Sequence, residues 1–400
     1  MDILGGIKII SFNHFLIGPV GIQLLADLGA EVIAVEPLDG AFQRKWGGAN
    51  KSVGGQTVLL LAGNRNKRSL ALDLKAPAGL EIARRLIAGA DVVAENYRPG
   101  VMDKLGLGYE RLKADNPGLI YAAVSGFGPD GPYAERPGQD LLIQAISGLM
   151  DITGSRTGGA RAVGVSAADH HGAALLAMGI LAALLRRSRT GQGCRVDVDL
   201  LSSAIDLQLE SFVCYLNGER PKDVRQPRHI AGWYFPAPYG IYPTKDGEMA
   251  ISLASMKLLS EALSLPELAS VSEPDTFARN EELAQTIART IAGKATAEWR
   301  EILDAHGVWH AQVNDYQAVI EDPQVRHNGN FVTIDGATGA AITLVRHPVR
   351  YDGQAPEVRL PPQPLGAQTA DILAELGYSA EEIKALAAES AVGLAGREAQ

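Results

Sequence analysis

The stretch Lys8–Glu36, KIISFNHFLIGPVGIQLLADLGAEVIAVE, decides how this chain folds. It opens on a short apolar run, KIISF, and turns through Gly18 and Pro19. A segment with apolar residues at helical spacing (GIQLLADLGA) follows, and then a second apolar run, EVIAVE. Strand, helix and strand in so short a span make a β-α-β unit, in which the helix carries the chain back and the two strands lie parallel. The pattern continues with a helix-like stretch at 78–89 and strand-like runs at 91–95 and from Leu119. The expectation is an α/β fold: a large, doubly wound parallel sheet with helices on both faces.

Outward from that unit, the apolar run Gly172 to Leu185 predicts a buried helix of fourteen residues, shorter than the 18 or so that a membrane span requires. A turn, TGQG, then leads into CRVDVDL, whose period-two alternation predicts another strand. Around 205–240 the chain becomes charged and proline-rich, as a linker would be. Beyond it, GIYPTKDGEMAISLA predicts a hairpin turning at Asp246-Gly247, followed by helices near 281–293 and 297–305. Near the end, Ser379 and Glu382 form a capping box before EIKALAA. The expected organisation is a large domain from residues 1–200, a linker at 201–225, a smaller α+β domain at 226–330 and a return segment, 331–400, that completes the large domain.

Composition narrows the function. The chain has 400 residues, 46% of them hydrophobic and 21% charged, which suits a globular protein able to bury two cores. Only two cysteines are present, Cys194 and Cys214, so no disulfide framework is expected and a reducing, cytoplasmic setting is. MDILGGIKII lacks the basic-then-apolar order of a secretory signal. A net charge of -9 gives no general attraction to nucleic acid or anionic membrane, so a polyanionic ligand needs a local cationic site.

A β-α-β unit with Glu36 at the end of its second strand invites a dinucleotide reading, but the G-x-G-x-x-G fingerprint is missing, and Pro19 removes a donor where a pyrophosphate would need one. Arg65, Lys67, Arg68 and Lys75 cluster around SLALDL, and Arg98 and Lys104 flank the ENYRPG turn, offering cations for a phosphorylated ligand. His306 and His310 stand four apart but straddle Gly307 and lack a third ligand, so no metal site is expected. Asp169, between small residues and the apolar helix, reads on its own as that helix's N-cap.

Five segments taken together say more. GPVGIQLLADLGAEVIAVEP, NRNKRSLALDLK (64–75), ENYRPGVMDKLGLGYERL (95–112), SGFGPDGPYAERPGQDLLIQAISGLM (125–150) and VGVSAADHHGAALLAMGILAALLRRSRTGQG (163–193) resemble, in this order, the class III CoA-transferases of CaiB/BaiF type. The resemblance implies an acyl-CoA:carboxylate CoA-transferase with coenzyme A and acyl-CoA as substrates, a small carboxylic acid as acceptor, no permanently bound cofactor, and an interlinked homodimer. It implies that Asp169 is the nucleophile, acylated to a mixed anhydride and then converted to an aspartyl-CoA thioester. It also implies coenzyme contacts from His14, Phe15, Leu16, Ile17, Leu72, Lys75, Asn96, Tyr97, Arg98 and Lys104. Related acyl-CoA racemases carry a histidine base where this chain has Gln139, which cannot abstract a proton, so Gln139 is left to orient the substrate. A racemase using His170 or His171, and a non-catalytic acyl-CoA-binding scaffold, stand as the alternatives. Two departures are visible: Leu38 replaces an arginine common after the second strand, with Arg44 or Lys45 as substitutes, and HIAGWYFPAPYG replaces the glycine-quartet lid of formyl-CoA-type members. Trp233 and Tyr234 lie in that segment as packing residues or as walls of an acceptor pocket.

Overall fold

The computed structural model describes residues 2–395. Its strands are β1 (Lys8–Phe12), β2 (Glu31–Glu36), β3 (Ser52–Val53), β4 (Gln56–Thr57), β5 (Arg68–Leu72), β6 (Val92–Glu95) and β7 (Ile120–Ser125), followed by β8 (Arg195–Asp199). The later strands are β9 (Gly240–Pro243), β10 (Glu248–Ile251), β11 (His310–Gln312), β12 (Phe331–Asp335), β13 (Ala341–Val345) and β14 (Val392–Gly393). Seven of them form one sheet in the order β14-β5-β2-β1-β6-β7-β8, parallel throughout except for the edge strand β14, which runs antiparallel to β5.

The continuous apolar runs reflect burial on both faces of this sheet. Ile9, Val32, Val92 and Ala94 point into one core, shared with the helices Ile17–Asp27 and Ala167–Thr190. Their neighbours Ile10, Ile33, Val35 and Val93 point into the other, closed by the helices Pro77–Ala88, Thr369–Glu375 and Ala380–Ala388. Successive residues of a strand alternate between faces, so one strand feeds both cores. After β1 the chain moves outward through β2 to β5 and then returns to pair β6 on β1's other side. The gap beyond the C-terminal ends of β1 and β6 is therefore the switch point at which doubly wound sheets bind ligands.

The helix Ala167–Thr190 is longer than the apolar run within it, and it is long and apolar enough to span a bilayer by length and composition. Here one stripe, including Ala168, Ala173, Leu176, Ile180 and Ala183, packs inward while Met178 and Leu185 stay exposed, so the expected buried helix is buried on one side. It lies close against Ile17–Asp27. A Cβ on Gly172 would come within 2.6 Å of Ile17 Cδ1, and one on Gly21 within 2.9 Å of the Ala173 carbonyl. The starts of the two helices thus sit side by side.

The chain divides into two compact units, one from Met1–Ile143, Ser166–Leu207 and Arg326–Gln400, the other from Gln144–Val165 and Gln208–Val325. Two differences from the expected boundaries have physical reasons. Gln208 Nε2 donates to the Ser147 carbonyl, Arg225 pairs with Asp151 at 2.8 Å and Gln226 N donates to the Gly154 carbonyl, which ties 144–165 to the second unit. The stretch expected as a linker is largely helical, with helices at Leu200–Asp206 and Leu209–Asn217. Within the second unit, β11-β10-β9 form an antiparallel sheet that turns at Thr244–Gly247 and closes over Leu259, Ile287, Ile291 and Trp299.

Candidate active site

A cleft of about 570 Å³ opens at the switch point of the first unit. Its apolar walls come from Val35, Pro37, Phe42, Leu72, Leu74 and Leu105, and its polar lining includes His14, Tyr97, Lys45, Lys75 and Lys104. Apolar walls with cations at the rim suit a ligand that carries phosphates at one end and an uncharged arm. Of the ten residues expected to contact the coenzyme, five line this cleft: His14, Leu72, Lys75, Tyr97 and Lys104.

The other five have different places. Asn96 holds the turn after β1 rather than the cleft: its Oδ1 accepts from His14 N at 2.9 Å and its Nδ2 donates to the His14 carbonyl at 2.7 Å. This reciprocal pair joins the ends of β1 and β6 across the switch point. Phe15, with φ 61°, makes tilted ring contacts with His14 at 4.9 Å and with Phe42 at 4.2 Å, behind the cleft wall. Leu16 is the N-cap position of the helix Ile17–Asp27, and Ile17 is buried against Gly172. Arg98 is exposed, outside the cleft lining.

Three cations of the basic cluster are held by the fold. Arg65 is buried in a bidentate pair with Asp27, with a closest approach of 2.7 Å. Lys67 Nζ is buried and donates to the carbonyls of Pro19 and Gly63, both at 2.7 Å; burial pushes its ammonium down to about 7. Arg68 bridges Glu31 and Glu375. Of the two substitutes for the missing arginine at Leu38, Arg44 is committed to Glu36 through two bonds of 2.6 Å, while Lys45 stands half-exposed on the cleft rim beside Asp39. The same pair occupies Glu36, the acid that invited a dinucleotide reading. Burial lowers the His14 imidazole below its ordinary value and raises the Tyr97 phenol to about 12.

Asp169 lies in the first turn of the helix Ala167–Thr190, whose N-cap position is Ser166. It is therefore not the cap. The helix's free N–H groups are met instead by Asp140, the first residue of the helix Asp140–Ile146: its Oδ1 accepts from Ala168 N at 2.8 Å and from Asp169 N at 3.1 Å. A helix start with free N–H groups would stabilise the Asp169 anion. The carboxyl is pushed up instead, to about 7, first by burial and then by the neighbouring Asp140 charge, because those N–H groups serve Asp140. Gln139, which is exposed, immediately precedes Asp140 in the chain. Asp169 is absent from the cleft lining, but its helix start is packed on Ile17, which directly follows the turn bearing His14.

Sequence reasoning had no role for Phe42, whose ring lines the cleft, or for Asp140 as a cap. An acid opening the apolar stretch DLLIQAI was the one signal available for the latter. Trp233 Nε1 donates to Ser211 Oγ at 3.0 Å and the Tyr234 hydroxyl to Glu210 at 2.6 Å, contacts made within the second unit. Among the described residues, no group of three or more His, Cys, Asp or Glu side chains gathers as a metal site would.

A doubly wound sheet, a cleft at its switch point lined by both lysines and carboxylates, and a raised carboxyl at an adjoining helix start describe an α/β enzyme. The chain belongs to CoA-transferase family III, whose sequence profile it matches over residues 4–369. It is 34% identical over 382 residues to succinyl-CoA:glutarate CoA-transferase of Homo sapiens, covering 93% of this chain and 86% of that one. It is 33% identical over 385 residues to succinate–glutarate CoA-transferase of Agrobacterium fabrum, covering 93% and 95%. Its fold matches the crystal structure of a CaiB/BaiF family protein from Brucella suis with a TM-score of 0.80, 32% identity, and coverage of 93% of this chain and 99% of the other.

Proposed function

We propose that this enzyme transfers coenzyme A from an acyl-CoA donor to a small carboxylic acid, with Asp169 as covalent nucleophile. The observation that carries the reading is the state of Asp169: a carboxyl pushed up to about 7, at a capped helix start, within the motif GVSAADHHGA. A more basic carboxylate is a better nucleophile and is still largely ionised just above neutral pH.

Four balanced steps follow. The Asp169 carboxylate attacks the thioester carbonyl of the donor; the C–S bond breaks, and a mixed anhydride and CoA thiolate form. The thiolate attacks the aspartyl carbon and expels the donor carboxylate, which leaves an aspartyl-CoA thioester. The acceptor carboxylate displaces the thiolate to form a second anhydride. The thiolate then takes the acceptor acyl group, and Asp169 is released as carboxylate. Every intermediate is activated, so the thioester's free energy is conserved. Gln139, beside Asp140, is assigned to orient the reacting carboxylates through its amide, and it offers no base for racemisation.

His14, Leu72, Lys75, Tyr97 and Lys104 are assigned to the coenzyme in the cleft, with Arg98 outside it for phosphate and Asn96, Phe15, Leu16 and Ile17 shaping the adjoining turn. Lys45 takes the place of the arginine missing at Leu38. The relatives are named for glutarate, oxalate and L-malate, which makes short dicarboxylates the first acceptors to try. The interlinked homodimer belongs to the same proposal. Its support is apolar surface left outside each unit, Leu141, Met178 and Leu185 on one and Leu209, Val213 and Leu216 on the other. The unpaired Cys194 and Cys214 fit a cytoplasmic setting.

The test is a panel of acyl-CoA donors against carboxylates, run with Asp169→Ala alongside. Carboxylate-dependent CoA exchange that vanishes in a folded variant supports the proposal. Full exchange in that variant, or exchange of the substrate's α-proton with deuterated water in place of transfer, would refute it.

A further inference from the structure

Between β7 and the helix Asp140–Ile146 the chain forms a loop, residues 126–138, whose two ends touch. A Cβ on Gly126 would lie 2.6 Å from Gly138 Cα, and one on Gly138 only 2.3 Å from Gly126 Cα. Neither glycine has a positive φ, so the backbone would accept alanine at both; what excludes a side chain is the opposite side of the neck. A loop of this size with joined ends is an Ω-loop, packed by its own side chains. Phe127 and Tyr133 meet edge-on at 5.6 Å, and the Arg136 guanidinium lies 3.9 Å over the Tyr133 ring.

The two sides of the neck differ in what they hold. Gly126 is anchored: it follows β7, and its carbonyl accepts from Leu201 N at 3.1 Å. Gly138 leads straight to Gln139, whose carbonyl accepts from Ile143 N at 3.0 Å, and to Asp140, which caps Ala168 and Asp169.

We propose that the Gly126–Gly138 contact is a positioning device of the active site, setting where Gln139 and Asp140 stand against the start of the Asp169 helix. The two glycines act through those residues and do not touch substrate. A Cβ at 2.3–2.6 Å from a backbone carbon must open the neck by about 1 Å to reach ordinary contact. The Asp140 bonds of 2.8 and 3.1 Å do not survive a displacement of that size. The inference rests on Asp169 being the nucleophile.

The experiment measures Gly138→Ala and Gly126→Ala, each alone and in an Asp140→Asn background, with Asp169→Ala as reference. The readouts are kcat, KM for acyl-CoA, the pH dependence of kcat/KM and the melting temperature. Expected is a fall in kcat on the order of 10- to 100-fold, as for other misplacements near 1 Å, with KM for acyl-CoA unchanged because no cleft residue moves. The acid limb should move to lower pH as the Asp140 charge withdraws, and the neck variants should add no further shift once Asp140 is asparagine. Wild-type kcat and pH dependence with only a lower melting temperature would overturn the inference. So would shifts that add fully to those of Asp140→Asn, or failure of both variants to fold, which would make the contact a folding element. If Asp169→Ala keeps full activity, the nucleophile reading itself has failed; if it is inactive while the neck variants behave as wild type, only this inference has.

Discussion

Replacing Asp140 by asparagine removes one negative charge from beside Asp169 and leaves an oxygen able to accept from Ala168 N and Asp169 N. In the native protein those bonds are 2.8 and 3.1 Å, and the Asp169 carboxyl sits at about 7 against an ordinary 3.8. Burial is the larger cause of that shift and Asp140 the smaller. Removing the smaller of the two causes should bring Asp169 down by less than half of that shift, while burial keeps it raised. Only the ionised carboxylate attacks the thioester, so the rate rises with pH through the Asp169 titration and then levels. Asp140→Asn should therefore carry the acid limb of kcat/KM to lower pH by less than half of the interval between 3.8 and 7, and lower the plateau modestly, a weaker base being a weaker nucleophile. Asp140→Ala should show the same shift and lose the cap as well, at a cost of about 1–2 kcal/mol in stability. The assay is the pH dependence of CoA transfer at saturating acceptor. An acid limb that stays in place or moves upward in Asp140→Asn would refute the electrostatic reasoning.

Three further predictions address the rest of the molecule. Lys75→Ala and Lys104→Ala should each raise KM for acyl-CoA by about 3- to 30-fold with little change in kcat, because charge-assisted contacts remote from the reacting carbon bind ground and transition states alike. Arg65→Met should instead cost about 3–5 kcal/mol in denaturant unfolding with KM unaltered in the folded fraction, since it strands the buried Asp27 carboxylate. Asp169→Asn should be more stable than the parent at pH 8 by up to about 4 kcal/mol and close to it near pH 4. The folded carboxyl holds its proton more tightly than the unfolded one, so ionising it costs stability as pH rises from about 4 through 7, a cost asparagine escapes. Melting curves at the two pH values check the sign.

What could be read from sequence was local. Ile9 and Ile10 announce a strand buried on both faces, and the β-α-β unit, the hairpin at Asp246-Gly247 and the capping box at Ser379 all depend on neighbours within a few residues. What could not be read depends on distant partners. Arg65 and Lys67 look like surface cations in NRNKRS, yet Asp27 and the Pro19 carbonyl claim them from 38 and 48 residues away. Asp140 reaches Asp169 across 29 residues of sequence, so Asp169 looked like its own helix cap. Ile17, carried over as a coenzyme contact, lies in the core because Gly172 lets a second helix close on it. The stretch Leu209–Asn217 is helical although charged, proline-rich sequence follows it closely.

The central claim is that Asp169 becomes covalently activated during turnover. Enzyme mixed with acyl-CoA and quenched with borohydride or hydroxylamine should carry a reduced or hydroxamate-bearing Asp169 in its peptide mass spectrum, and none when acyl-CoA is omitted. An unmodified Asp169 under conditions that support CoA exchange, or modification at Asp140 in its place, would contradict the account.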